Sequence, residues 1–223
     1  MNITINGINL EPPEDFTLLE AARLLGINIP TICYHKGLSP WGGCRLCIVE
    51  IKKNGTSRLV TSCTYPVEEG LVVQTASERV IHARKVILEM LIAQCPTSKI
   101  LQDLASKMGL KKVRFKPKWE KCIYCGLCIR MCNEQMMAKA IGFASRGNEL
   151  KIVTPFQENS EDCRKCGGCI YICPACTLRC DGAHPENILC GGCADYLQSF
   201  HNHPELASGS YTQLDKDPET RTG

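Results

Sequence analysis

The chain has 223 residues and a formal net charge of +3; 17 residues are cysteine, 22% are charged and 6% are aromatic. So much cysteine with so few aromatic side chains favours several small domains over one thick core, and the charge is too mild to indicate a nucleic-acid or membrane-surface partner. The first residues lack the pattern of a secretory signal, and no apolar run approaches the ~20 residues of a membrane-spanning helix. We therefore expect a cytoplasmic protein without membrane insertion.

Residues 1–77 are predicted to form a small domain in which strands wrap around one helix, as in a β-grasp. Thr17 and Glu20 form the T-x-x-E capping box that begins a helix, and Gly26 ends that helix as a left-handed cap. Asn-Gly pairs mark the turns between strands. The predicted strands lie in residues 2–10, with a turn at 6–7, in residues 48–52 and 58–63, with a turn at 54–55, and in residues 71–75.

Residues 78–110 are predicted to form a linker of two helices. Apolar residues recur at helical spacing, Pro96 ends the first helix near Cys95, and Gly109 follows the second. The predicted apolar faces are Val80, Ala83, Ile87 and Leu91 in the first helix, and Ile100, Leu101, Leu104, Ala105 and Met108 in the second. We expect this linker to set the separation of two cluster-bearing domains.

Residues 111–175 carry two copies of the motif C-x2-C-x2-C-x3-C and are predicted to form a second domain. Between the motifs, residues 150–154 are expected to be one strand of a hairpin that turns over residues 146–148. Residues 176–223 are expected to be a cysteine-rich, metal-binding extension with a polar tail. Strands and helices in separate segments make the chain an α+β protein.

Sixteen of the 17 cysteines fall into four sets of four, which leaves Cys95 alone. The sets are Cys33, Cys44, Cys47 and Cys63; Cys122, Cys125, Cys128 and Cys132; Cys163, Cys166, Cys169 and Cys173; and Cys176, Cys180, Cys190 and Cys193. In a reducing cytoplasm, an odd number of thiols at these spacings indicates metal ligands and not a disulfide framework. We expect Cys95 to be a structural thiol packed at the end of a helix.

The first set has the spacing C-x10-C-x2-C-x15-C, which suits a [2Fe–2S] cluster on a β-grasp domain. It departs from the plant-type run C-x4-C-x2-C in the length of its first gap. Gly42 and Gly43 precede Cys44, and glycine lets backbone N–H groups approach sulfur closely. Zinc is the alternative metal for any set of four cysteines.

The second and third sets suit two [4Fe–4S] clusters, because each C-x2-C-x2-C loop presents three sulfurs to one cubane. In bacterial two-cluster ferredoxins the fourth cysteine of each run ligates the other cluster, and here Pro174 follows the last cysteine of the third set, as in ferredoxins. That rule predicts one cluster on Cys122, Cys125, Cys128 and Cys173, and one on Cys163, Cys166, Cys169 and Cys132. Zinc suits these triplets less well, because its sites usually combine two C-x2-C pairs.

The fourth set is less regular, with the spacing C-x3-C-x9-C-x2-C. We expect it to hold a fourth metal centre, either iron–sulfur or zinc, and free or redox-labile thiols are the alternative. His201 and His203 are expected to be exposed tail residues, and His82 an exposed residue of the first linker helix. Neither a phosphate-binding glycine motif nor a Ser-His-Asp or Cys-His arrangement is present, so we expect no catalytic residue.

Four segments of the sequence resemble a known family. PTICYHKGLSPWGGCRLCIVEI and SCTYPVEEG resemble the N-terminal [2Fe–2S] domain of the large iron–sulfur subunit of respiratory complex I, a domain also present in iron-only hydrogenases and in the diaphorase iron–sulfur subunit of NAD-reducing hydrogenases. ARKVILEMLIAQCP and WEKCIYCGLCIRMC continue the resemblance, which covers about residues 1–175. Those relatives usually carry a [4Fe–4S] cluster with one His and three Cys ligands between the two domains. Residues 96–121 contain neither residue type, so we expect that cluster to be absent.

The resemblance implies a non-catalytic electron-transfer subunit of an NAD(P)-linked hydrogenase, formate dehydrogenase or flavin-based electron-bifurcating complex. The implied partners are a flavin- or NAD(P)-binding subunit and at least one further redox subunit. We expect the surface near Cys33 and Cys44 to meet a partner or an internal relay, and residues 176–223 to dock another subunit. No segment resembles a molybdopterin-type or hydrogen-activating domain, and the loss of the His-ligated cluster favours a compact adaptor over complex I itself. A freestanding polyferredoxin is the alternative, and a metal-sensing regulator is disfavoured because no DNA-binding helix pair or basic stripe is present.

Overall fold

The computed structural model describes residues 2–158 and 160–175. Its N-terminal part contains five strands: β1 (Ile3–Ile5), β2 (Ile8–Leu10), β3 (Ile48–Lys53), β4 (Thr56–Thr61) and β5 (Val72–Gln74). They form one mixed sheet in the order β2-β1-β5-β3-β4. β1 and β5 run parallel, and the other neighbours run antiparallel. With a helix packed on it, this sheet is the α+β arrangement that the sequence predicts, and its strand order fits a β-grasp.

Helix α1 (Leu18–Leu24) packs against this sheet. The predicted capping box is confirmed: the Glu20 N–H donates to Thr17 Oγ1 at 3.3 Å, and the Thr17 N–H donates to the Glu20 carboxylate at 2.8 Å. Gly26 follows with φ of 70°, so the predicted left-handed cap is also confirmed. The buried side chains of the sheet and α1 form the first core, which includes Ile3, Ile5, Leu18, Leu19, Cys47, Val49, Ile51, Cys63, Leu71 and Val73.

The two predicted linker helices are α2 (Glu78–Gln94) and α3 (Lys99–Lys107). The Ser77 hydroxyl caps α2 by accepting from the Val80 N–H at 3.4 Å, and Cys95, directly before Pro96, is the C-cap of α2. In α3, Leu101 and Ala105 of the predicted apolar face are buried, whereas Ile100 is 48% exposed. Pro96 therefore ends the helix where the sequence predicts, but the inward face of α3 is narrower than predicted.

The predicted inward face of α2 is partly wrong. Val80 is buried as predicted, but the buried line continues through Arg84, Leu88 and Ile92. Ala83, Ile87 and Leu91 are only partly buried. An arginine is expected on a solvent face, and this one is buried because its guanidinium donates to the Ile48 carbonyl of β3 at 2.6 Å.

The C-terminal part of the described chain is built on short elements: α4 (Leu127–Arg130), β6 (Gly142–Ala144), β7 (Lys151–Val153) and α5 (Gly168–Tyr171). A π-helical turn, Met131–Gln135, continues α4. β6 pairs antiparallel with β7 through a 3-10 turn at Gly147–Glu149, so the predicted hairpin is confirmed. Helices α4 and α5 each begin within one of the two repeated cysteine motifs.

A second core joins all three parts of the described chain. It contains Ile32, Cys33, Leu38, Cys44, Leu46, Leu88, Ile92, Cys95, Leu101, Ala105, Ile123, Cys125 and Leu127. The linker helices α2 and α3 share this core with both parts, and the two parts also touch directly. Among the helices of residues 2–158 and 160–175, none is long and apolar enough to cross a membrane.

Candidate metal centres

The first cysteine set lies where the two cores meet, and the structure brings its members together in two pairs. The Cys44 N–H donates to Cys33 Sγ at 3.4 Å, and Cys47 Sγ lies 3.1 Å from Cys63 Sγ. Cys33 and Cys44 belong to the second core, whereas Cys47 and Cys63 belong to the first. Two pairs of thiols suit a [2Fe–2S] cluster, since each of its two irons takes two protein ligands.

In each of these pairs one thiol has a lowered pKa and the other a raised pKa. The sulfur–sulfur hydrogen bond between Cys33 and Cys44 lowers the pKa of Cys44, and that between Cys47 and Cys63 lowers the pKa of Cys47. The same hydrogen bonds and burial raise the pKa values of Cys33 and Cys63. Because the thiolate is the form that binds metal, this asymmetry favours the metal-binding form of Cys44 and Cys47.

Two glycines give the loop before Cys44 its shape. Gly42 has φ of 67°, and a Cβ there would lie 3.1 Å from Thr64 Cγ2. A Cβ on Gly43 would lie 2.5 Å from the indole ring of Trp41. The sequence predicts that these glycines let backbone N–H groups approach sulfur closely. The structure adds a steric reason, because the loop is packed tightly against Thr64 and its own Trp41.

The second site gathers cysteines from both repeated motifs. Burial and the charges of Cys173 and Cys122 together raise the pKa of Cys125 to about 12. Burial also raises the pKa of Cys128, and the charges of Cys125, Cys173 and Cys122 act in the same direction. The charge of Cys173, the last cysteine of the third set, therefore reaches Cys125 and Cys128 of the second set.

The third site is a cavity lined by Cys132, Cys163, Cys166 and Cys169. Burial raises the pKa of Cys169 to about 12, followed by the charges of Cys166, Cys132 and Cys163. Cys166 is exposed at the surface, in contrast to the buried first set. Within the described residues, no group of three or more His, Cys, Asp or Glu side chains has the geometry for a single metal ion.

Comparisons with known proteins point to the same iron–sulfur chemistry. A model of the 2Fe-2S iron-sulfur cluster binding domain matches residues 1–78. The alpha subunit of NADPH-Fe(3+) oxidoreductase from Geobacter sulfurreducens is 32% identical over 80% of this chain and 24% of its own length. The mitochondrial 78 kDa subunit of NADH-ubiquinone oxidoreductase from Candida albicans is 30% identical over 80% of this chain and 28% of its own length. A chain in the crystal structure of an NAD+-reducing [NiFe]-hydrogenase, in the H2-reduced state, matches with a TM-score of 0.61 at 30% identity over 69% of this chain and 74% of that chain.

This chain belongs to the family of iron–sulfur subunits shared by complex I and NAD(P)-linked hydrogenases. Its N-terminal part is a [2Fe–2S] cluster binding domain. The chain spans about a quarter of the length of the curated relatives named above.

The two repeated motifs of this family member share one backbone conformation. The residue before the second cysteine and the glycine after it are left-handed in both motifs: Tyr124 and Gly126 have φ of 50° and 68°, and Lys165 and Gly167 have φ of 51° and 69°. A non-glycine residue costs roughly 1–2 kcal/mol in this region. The turned backbone aims N–H groups at sulfur, since the Tyr124 N–H donates to Cys122 Sγ at 3.3 Å. Such bonds tune the potential of a cluster.

Of the remaining cysteines and histidines singled out by the sequence, Cys95 and His82 are described by the structure and the others are not. Cys95 is fully buried, and burial raises its pKa to about 11, while the charges of Cys122 and Cys173 act in the same direction. Cys95 thus lies near the second site, packed at the C-terminal end of α2. His82 is exposed on α2, as predicted. The fourth set, Cys176, Cys180, Cys190 and Cys193, lies outside the described residues, as do His201 and His203.

Two arginines near these sites escape the sequence analysis. Arg84 is 7% exposed and Arg130 is 6% exposed, and the Nε of each is buried with no hydrogen-bond partner among the described residues. Arg84 donates to the carbonyl of Ile48, directly after Cys47, and Arg130 donates to the carbonyl of Cys33 at 2.6 Å. Arg130 lies two residues after Cys128, so its position in the sequence could have pointed to the site. The sequence gives no such indication for Arg84, because this residue reaches its site through the packing of α2.

Proposed function

We propose that this chain is an iron–sulfur electron-transfer subunit of a multisubunit NAD(P)-linked oxidoreductase, such as a hydrogenase, a formate dehydrogenase or a flavin-based electron-bifurcating complex. In this role it relays single electrons between a flavin held by one partner and a further redox site held by another. Relatives named as NADPH-, NADH- and NAD+-linked oxidoreductases support this proposal. The chain itself contributes no bond-making chemistry.

The proposed ligands are the three sets that the sequence predicts. They are Cys33, Cys44, Cys47 and Cys63 for one [2Fe–2S] cluster; Cys122, Cys125, Cys128 and Cys173 for one [4Fe–4S] cluster; and Cys132, Cys163, Cys166 and Cys169 for a second. The donor chemistry fits, because each set supplies four thiols and iron–sulfur clusters are usually held by four thiolates. When bound, such clusters accept and release one electron at a time.

The residues around the sites are suited to that task. They position sulfur, supply N–H donors to it and exclude water, all of which set the potential of a bound cluster. The Cys44 N–H donates to Cys33 Sγ, and the Ala140 N–H donates to Cys132 Sγ at 3.3 Å. The first site is fully enclosed, whereas Cys166 of the third is exposed. This difference in exposure supports electron exchange with a partner at the third site.

The observation that carries the proposal is that the second core contains proposed ligands of two different sites. Cys33 and Cys44 of the first site and Cys125 of the second are all buried within it. The charge of Cys44 contributes to the raised pKa of Cys125, so the two sites lie within electrostatic reach of each other. Two adjacent redox centres in one core are the arrangement expected of an internal relay. Of the two expectations for the surface near Cys33 and Cys44, this favours the relay over an external partner.

Anaerobic reconstitution tests the cluster content. We expect about ten irons per chain, two from the [2Fe–2S] and four from each [4Fe–4S] cluster, with more if the fourth set is also iron–sulfur. Ten irons and one zinc would assign the fourth set to zinc. A count near two, with EPR from a [2Fe–2S] cluster only, would contradict the two cubane assignments.

Purification from the native host tests the partners. We expect the chain to be recovered with a flavin- or NAD(P)-binding subunit and to be reduced by NAD(P)H in that complex. Recovery of the loaded chain alone, reducible only by added carriers, would favour a freestanding polyferredoxin. A version lacking residues 176–223 tests the docking expectation, because retention of every partner with an undiminished rate of electron flow from NAD(P)H would show that this segment docks none of them.

A further inference from the structure

The direct contact between the two parts of the chain is made by the loop that carries Cys33 and by the segment that follows the first cubane motif. The Ser39 N–H donates to the Glu134 carboxylate at 2.7 Å, and the Gln135 side chain donates to the Gly37 carbonyl at 2.6 Å. Trp41 stacks on Phe143 with ring centroids 5.9 Å apart. These contacts fix the position of the [2Fe–2S] loop relative to the second domain.

Arg130 is the buried centre of this contact. Its Nη2 donates to the Cys33 carbonyl at 2.6 Å and to the Cys125 carbonyl at 3.4 Å, and its Nη1 donates to the Ser39 carbonyl. Cys33 is a proposed ligand of the first site and Cys125 a proposed ligand of the second. One nitrogen atom of one side chain therefore bridges the backbone of a ligand from each site.

The charge of Arg130 is not neutralised by an ion pair within the part of the chain that the structure describes. The Glu134 carboxylate accepts hydrogen bonds from Ser39, which lower the pKa of Glu134, and the charge of Arg130 acts in the same direction without forming an ion pair. Its guanidinium, donating to carbonyls, places a positive charge in a buried setting, where charge interactions are weakly screened. Thiolate-bound clusters gain negative charge when they are reduced, so a cation between them favours reduction of both.

We propose that Arg130 is a positioning residue shared by the two iron–sulfur sites. It holds a ligand backbone of each site in register with the other, and it supplies one cation that stabilises the reduced state of both. This inference rests on the proposed function, because it requires clusters at both sites. Arg130 is not itself a proposed ligand, but it would set the relative position and the reduction potentials of the two adjacent centres.

The test compares reduction of the two centres in loaded protein, followed by EPR during a redox titration. In Arg130→Gln, which removes the charge but keeps a polar side chain, we expect the reduction equilibrium of both centres to fall about tenfold or more, which is about 59 mV for one electron. In Arg130→Lys, which keeps the charge, we expect both equilibria to stay within about threefold of the wild-type values. Arg146→Gln removes an exposed cation from the same domain and is expected to change neither centre.

The outcomes separate this inference from the proposed function. Absence of [4Fe–4S] signals from loaded wild-type protein would overturn the proposed ligand sets themselves. Wild-type signals with an Arg130→Gln shift in only one centre, or in neither, would overturn the shared role of Arg130 and leave the proposed function standing. If Arg130→Gln does not load, Arg130→Lys decides: both equilibria within about threefold of wild type support the proposal, and a tenfold change in either overturns it.

Discussion

Arg84 offers a sharp test of how the fold tunes the first site alone. The guanidinium is buried against the sheet and donates to the Ile48 carbonyl at 2.6 Å, one residue after Cys47. Burial lowers the pKa of Arg84 to about 10, while the charge of Cys47 acts in the opposite direction. Arg84 is thus a charged residue throughout the physiological pH range, held beside one ligand pair. We predict that Arg84→Met lowers the reduction potential of the [2Fe–2S] cluster.

The expected magnitude follows from the interaction between one cation and one added electron. At a separation of roughly 8 Å and an effective dielectric constant of about 20, the energy is about 2 kcal/mol. Since 1.36 kcal/mol is a tenfold change in an equilibrium and a tenfold change is about 59 mV for one electron, the expected shift is about 90 mV downward. The potentials of the proposed [4Fe–4S] clusters are expected to move much less, because Arg84 bonds to the backbone next to the first site.

The assay is a mediated redox titration followed by the EPR signal of the reduced [2Fe–2S] cluster, on protein with full iron content. Arg79→Gln is the matched control, because Arg79 lies on the same helix but its side chain is 57% exposed; screening by water should keep its shift below about 20 mV. Arg84→Lys should preserve most of the wild-type potential. A shift below about 20 mV in Arg84→Met, or an upward shift, would refute the electrostatic role of this residue.

Three further experiments test the packing around the sites. Leu88→Ala removes a fully buried side chain of the second core and is expected to lower the free energy of unfolding by about 2–5 kcal/mol. The control Ile81→Ala changes a residue of the same helix that is 42% exposed and should cost less than about 1 kcal/mol. Equal losses in denaturant unfolding would contradict the burial of Leu88 in the second core. Cys95→Ser should leave every cluster EPR signal unchanged, and because burial raises its pKa to about 11, Cys95 of the folded protein should resist alkylation at pH 8; loss of a signal would identify it as a ligand. Gly126→Ala and Gly109→Ala place a side chain at φ of 68° and 63°. Each should lower the free energy of unfolding by about 1–2 kcal/mol in the same assay. A much larger loss for Gly126→Ala would contradict the ordinary contact distance of 3.5 Å between an added Cβ and Trp41.

Local signals predict much of the fold. The capping box at Thr17 and Glu20, the Asn-Gly turns and Pro96 act over a few neighbouring residues, so sequence spacing alone locates the elements that they begin or end. The hairpin after the first cubane motif is predictable for the same reason. The grouping of the cysteines rests equally on short-range spacing, and as an assignment of ligands it stays a prediction.

The features that sequence reasoning misses depend on contacts between distant residues. Arg84 and Arg130 belong to a residue type that is expected at the surface, and they are buried because backbone carbonyls far away in sequence accept their hydrogen bonds. The predicted inward face of α2 is misplaced because a polar residue occupies one of its central positions. Spacing also gives no sign that the loop after Cys33 packs on the second domain, since Arg130 and Cys33 are 97 residues apart.

The division of one ligand set between two cores has a consequence for how the protein is matured. Cys47 and Cys63 are enclosed once the sheet and α1 have folded, but Cys33 and Cys44 are enclosed only when α2, α3 and the second domain close over them. A scaffold that donates a preformed [2Fe–2S] unit needs access to all four thiols, which are 1–4% exposed in the closed structure. We therefore expect delivery to precede closure, so that the newly made N-terminal domain is the form that the donor meets and the second domain encloses the proposed ligands afterwards.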